Sequence, residues 1–116
     1  MIAPLAEALD RMTRVGGVWG ALLVAADDGL VIAEAVMEGI KPAAIAALAA
    51  SLARQSGIAS EAAGAGTPRF LHLQGAAGTL AVMSAGDGLL LVAVGSDEMN
   101  VGLARLEMLR AIEAAE

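Results

Sequence analysis

Two uninterrupted apolar runs, Val18–Ala25 and Leu89–Val94, constrain this chain more than any other feature. The first has β-branched and aromatic members, and both read as strands covered on two faces rather than one. Each is bounded by a tight-turn signal. Asp27-Asp28-Gly29 follows the first run, and Gly86-Asp87-Gly88 precedes the second. Strands joined by such turns pair antiparallel. The chain therefore contains an antiparallel sheet whose centre needs helices on both sides.

The remaining segments supply those helices. Ile2, Leu5, Leu9 and Met12 fall at helical spacing, with Pro4 suited to a first turn and Gly16-Gly17 ending the segment. Leu30–Ala35 returns from the first turn as a strand, and Met37–Lys41 is a loop. Pro42–Ala63 is a second helix, closed by Gly64-Ala65-Gly66-Thr67-Pro68. Arg69–Gln74 alternates: Arg69, Leu71 and Leu73 point one way, and Phe70, His72 and Gln74 the other. Its polar members and the preceding Pro68 suit an edge strand. Thr79–Ser84 is a further strand. Ser96 or Asp97 is expected to cap the last helix. Met99, Leu103 and Leu106 form the stripe of that helix, widened by Val101, Ala104, Met108, Ala111 and Ile112. The expected fold class is an α/β (α+β) sandwich of order α-β-β-α-β-β-β-α. Its 116 residues are read as one domain, 1–116.

Pro42–Ala63 carries only two charges, Arg54 and Glu61. On a helical wheel Ile45, Leu48, Leu52 and Ala59 share one face, expected to be the core stripe. Ala43, Ala46, Ala50, Ala53 and Gly57 share the opposite face, where charge is expected. A helix that is apolar or small all round is usually buried all round. One reading covers the small face with a second subunit. The other notes that Ala is the best helix former and leaves the face to solvent.

Composition excludes several classes. Net charge is −6, with seven basic residues scattered singly, whereas nucleic acid and anionic membranes select clustered Lys and Arg. Trp19 and Phe70 are too few for a base-stacking surface. Cysteine is absent, so there is neither a disulfide nor a thiolate metal site. Mean hydropathy is high at +0.71, yet no uncharged apolar run reaches the roughly 18 residues of a membrane span. The first residues lack the basic start of a signal peptide, and the expected location is the cytoplasm.

Catalytic constellations are missing too. A phosphate-binding P-loop needs Gly-Lys-Ser/Thr, and the single lysine, Lys41, lies between Ile40 and Pro42. Gly16-Gly17-Val18-Trp19-Gly20 leads into a strand, the opposite context to a dinucleotide fingerprint. Its glycines read as a turn and a close approach between elements. Of Asp27, Asp28 and Glu34, the two aspartates are turn residues rather than metal ligands. His72, the only histidine, reads as a half-buried structural residue. Arg54 has the side chain of an arginine finger, but a lone Arg on a small-residue helix reads as an interface or solvent residue. No cofactor or metal is expected.

Three ordered signatures resemble the roadblock / dynein light-chain family of the longin-like fold. They are Val15-Gly16-Gly17-Val18-Trp19-Gly20-Ala21-Leu22-Leu23-Val24 after an amphipathic helix, the hairpin Asp27-Asp28-Gly29-Leu30-Val31-Ile32-Ala33, and Gly88–Val94 followed by Asn100–Leu106. Each is weak alone; the set is similar to bacterial members from about Ile2 to Ile112. The resemblance implies a five-stranded sheet with the middle helix on one face and the terminal helices on the other. It implies a homodimer through the third strands and middle helices, here Arg69, Phe70, Leu71, His72 and Leu73 with Ala43, Ala46, Ala50, Ala53 and Gly57. It also implies a non-enzymatic platform for a small Ras-like GTPase, with Arg54 and Glu61 as candidate anchors for that partner. The alternatives are an interaction module in another system, such as one with a sensor kinase or a dynein-type adaptor, and an enzyme, for which no constellation is present.

Overall fold

The computed structural model describes residues 2–116. These form, in order, α1 (Ala3–Thr13), β1 (Val18–Ala25), β2 (Val31–Val36), α2 (Pro42–Ala62), β3 (Phe70–Gln74), β4 (Thr79–Gly86), β5 (Leu89–Gly95) and α3 (Val101–Ala115). The strands make one five-stranded sheet of order β2-β1-β5-β4-β3, and every pairing is antiparallel. The two apolar runs, β1 and β5, are neighbours near its centre, with Leu22 opposite Val92 and Leu23 opposite Leu91.

Alternation along these strands splits the core in two. Ala21, Leu23, Met83, Leu91 and Ala93 pack against Leu5, Leu9 and Met12 of α1 and Ala104 and Met108 of α3. Leu22, Val24, Val82, Leu90 and Val92 face the other way, against Ala46, Ala49 and Ala50 of α2. The helices thus lie on both faces, as strands apolar on both sides require. The α1–α3 layer is also tied by Glu107, whose carboxylate meets Arg11 at 3.3 Å and Arg110 at 3.1 Å.

Turn chemistry fixes the register. Asp87 and Gly88, at φ of +53° and +73°, form a two-residue loop between the paired Gly86 and Leu89, the primed geometry that matches strand twist. The C-terminus of α2 closes with Gly64 at φ +75°. Its N–H donates to the Glu61 carbonyl at 3.0 Å, and the Ala65 N–H donates to the Ser60 carbonyl at 2.9 Å. That double bond pattern satisfies two carbonyls the helix end would leave open.

Two expectations are corrected. The first concerns α2. Its small residues face the sheet: Ala46, Ala49 and Ala50 are buried. Leu48 and Ile58 are 71% and 66% exposed, and Ile45 and Leu52 lie half-buried on the flank. The small side chains let the helix backbone come close. A Cβ at Gly29 would stand only 3.0 Å from the Ala47 Cα. The second concerns α3. Its N-cap is Asn100, whose Oδ1 accepts from the Leu103 N–H at 3.1 Å. Ser96 Oγ accepts from the Glu98 N–H just upstream. The core stripe of α3 is Ala104, Met108 and Ala111, while Leu103 and Leu106 are 40% exposed.

The seat of α2 generates a prediction. Ala50→Leu should overpack the helix–sheet seam and destabilise the fold by about 1–3 kcal/mol, read as a lower urea midpoint. An unchanged midpoint would mean that Ala50 does not face the sheet.

Candidate functional site

The surface with unmet packing lies on the α2 side of the sheet. α2 sits over β1, β2 and β5. β3 is an outer strand, paired only with β4. On the α2 side β3 and β4 present Leu71 and Leu80, half-buried, and β3 also presents Leu73, 53% exposed. Leu48 and Ile58 stand on the outer surface of α2. The result is an apolar helix face and an open strand edge on one side of one sheet.

The residues expected at an interface distribute unevenly over this surface. Phe70, Leu71, His72 and Leu73 lie on the edge strand, with Arg69 immediately before it. Ala43 is exposed near the start of α2. Ala46 and Ala50 are corrected: they are buried against the chain's own sheet at 0% and 1% exposure and have no surface to offer. Ala53 and Gly57 line a crevice between α2 and the edge strand with Leu71 and Val82. Leu48, which the wheel assigns to the core, and Ile58, which it leaves out, are the prominent groups instead. The second edge strand, β2, and its flanks expose Leu30, Ile32 and Met37, a row that sequence reasoning does not single out.

The two charges of α2 border one open cleft of about 580 Å³ with Ile58, Thr67 and Pro68. Arg54 Nη1 donates to the Ala26 carbonyl at 3.2 Å, so the side chain is steadied against the β1–β2 turn. A guanidinium has five donors, which leaves others for a partner. Glu61 is exposed in the same cleft.

His72 is exposed rather than half-buried, because its side of β3 extends beyond the cover of α3. Its Nε2 lies 3.3 Å from Gln74 Oε1. Among the described residues no three His, Asp or Glu side chains converge as a metal site would need. No helix among them is long and apolar enough to cross a membrane.

Residues 4–95 match the Roadblock/LC7 domain. The chain belongs to the roadblock/LC7 family. No curated protein sequence matches it. Among solved structures, this roadblock chain is similar to the Roadblock/LC7 domain from Streptomyces avermitilis, 22% identical, with 94% of this chain and 92% of that one covered and a TM-score of 0.82. It is similar to MglB of Myxococcus xanthus, 23% identical over 94% of this chain and 89% of that one, at a TM-score of 0.81. The gliding protein MglB from Thermus thermophilus is 26% identical, with coverages of 97% and 85% and a TM-score of 0.81. The coverage of these structures includes nearly the whole chain, so the element order α-β-β-α-β-β-β-α is the roadblock fold.

The exposure of His72 generates a prediction. His72→Ala should leave the circular dichroism spectrum unchanged and alter stability by no more than about 0.5 kcal/mol. A larger loss in urea unfolding would show a structural role for the imidazole.

Proposed function

We propose that this roadblock domain is a single-domain, non-enzymatic homodimer that binds and regulates a small Ras-like GTPase in the cytoplasm. The observation that carries the homodimer is the pairing of exposed apolar groups on α2, with Leu48 71% and Ile58 66% exposed, with an open β3 edge in the same sheet. An open edge with apolar side chains is an aggregation hazard unless something covers it. Two β3 strands paired antiparallel are related by a two-fold axis perpendicular to the sheet. That axis keeps both α2 helices on one face, where each patch meets its own copy. An MglB 27% identical over 97% of this chain has a tetrameric arrangement, which supports self-association.

The corrected seat of α2 changes the contact set. The interface residues are Leu48, Ile58, Leu71 and Leu73, with Ala53 and Gly57 at the crevice between helix and edge. The wild type should be a dimer by light scattering, and Leu48→Glu combined with Leu73→Glu should give a folded monomer, because each change places an unpaired charge in a desolvated contact. A monomeric wild type at high micromolar concentration would overturn the assembly.

The GTPase reading rests on the family. This chain supplies shape and polar anchors, and the partner supplies the P-loop and the nucleotide. Arg54 is the stronger anchor, since Arg is enriched in binding hot spots and this one is held in place by the Ala26 carbonyl. Calorimetry against the small GTPases of the same cell, loaded with GDP or a GTP analogue, should show binding that favours one nucleotide state. Arg54→Ala should weaken it by about 1–2 kcal/mol without dissociating the dimer. Absence of binding in both states would overturn the GTPase reading and leave the dimer standing.

A further inference from the structure

A second surface lies on the α3 side of the sheet and reaches round the α2–β3 connection, where Thr67, Pro68 and Arg69 also line the α2-side crevice. α3 leaves an open groove of about 1060 Å³ beside the start of β3. Its apolar lining includes Phe70, Met83, Leu109 and Ile112. Arg69 and Arg105 line it as well, and the Arg105 guanidinium stands 5.2 Å from the centroid of the Phe70 ring.

Both cations lack a carboxylate. Among the described residues the ion pairs are Arg11–Glu107 and Arg110–Glu107, and neither Arg69 nor Arg105 takes part in one. The helix offers Arg105 nothing at the spacings where side chains meet: Val101, Gly102, Met108 and Leu109 occupy those positions. Arg110, one turn and a half further on, has Glu107. Among the described residues five of the seven basic ones have no ion pair; Arg69 and Arg105 are the two of these that line this one groove together. Among the described residues the only acidic one lining it is Glu116, which stands eleven residues beyond Arg105, about 16 Å along a helix.

We propose that this groove binds an acidic peptide segment of another protein, with carboxylates on Arg69 and Arg105 and an apolar side chain against Phe70 and Leu109. Packing on Phe70 pre-positions the Arg105 fork for a carboxylate, so less side-chain freedom is lost on binding. The open groove, with Phe70, Met83, Leu109 and Ile112 in its lining, suits a peptide better than a free phosphate, which has no use for apolar contact. The negative charge of the whole molecule does not forbid this, because fields are screened within about 8 Å at physiological ionic strength. The groove adjoins the Arg54–Glu61 cleft at Thr67 and Pro68, but the proposal does not rest on the GTPase reading.

The test is selection from a random-peptide phage library against the intact wild-type protein. The recovered peptides are then measured by fluorescence anisotropy. Peptides rich in Asp or Glu with an interspersed apolar residue are expected, and their affinity should fall with added salt. Arg105→Glu should weaken binding at least about tenfold, and Arg105→Gln should weaken it less. Both variants should keep the wild-type melting curve and dimer mass, since Arg105 is exposed. Recovery of no peptides, or of neutral or basic ones, would overturn the proposal, as would undiminished binding to Arg105→Glu. Inorganic phosphate displacing the peptides at similar concentration would also overturn it, by showing a general anion site.

Discussion

The pairing of β1 with β5 is the interaction on which the rest of the molecule depends. It joins the two most apolar segments in the chain and gives each a neighbour along the middle of the sheet. Because both strands are apolar above and below, the pairing creates two hydrophobic faces at once. α1 and α3 cover one and α2 the other. Removing large apolar surface from water dominates folding, so the positions of all three helices follow from this one ladder. The lead into β1 is fastened to the same place. The Ser96 N–H donates to the Gly17 carbonyl at 2.8 Å and the Asn100 N–H to the Gly16 carbonyl at 3.0 Å. Gly17, at φ +87°, has the Met99 Cα 2.7 Å from where a Cβ would be. Any side chain there would push α3 off its start.

The choice of face on α2 decides which surface the molecule presents outward. A helix carrying leucines on one side and alanines on the other can dock either way. Burying the leucines gains more area, but burying the alanines brings the backbone closer and lets a short helix–sheet seam pack densely. The second solution holds here. It leaves Leu48 and Ile58 on the outside, on the same face of the sheet as Leu71 of the edge strand, and so turns a folding decision into a surface of the kind that marks contact sites on soluble proteins.

Much of this is legible in the chain, and the reasons for the rest are specific. The sheet, its central strands, both hairpins, the edge character of Arg69–Gln74 and the family itself follow from period-two alternation, turn residues and ordered motifs. Those signals are local. The orientation of α2 is not, because a wheel identifies two faces without saying which meets the chain's own sheet. The same ambiguity misplaces the leucines of α3, where Ala104 and Ala111 sit inside and Leu103 and Leu106 stand half out. Asn100 is hidden as a cap because Ser96 and Asp97 come first, yet those residues belong to the bend that leaves β5. The stacking of Arg105 on Phe70 joins residues remote in sequence, and no local pattern announces it.

The order of strands in the sheet has a consequence for how the protein is made. β1 and β2 emerge from the ribosome early and can close their hairpin at once, but β1's other partner, β5, is synthesised near the end of the chain. Until then one long apolar ribbon has an open side, and contacts between sequence-distant strands form slowly because loop closure must precede them. β4 and β5, joined by the two-residue loop at Asp87-Gly88, can form as a local hairpin and arrive as a preassembled half-sheet. Nascent chains stalled before Leu89 would therefore be the ones that need a chaperone, and the completed β4–β5 hairpin is the piece that ends their exposure.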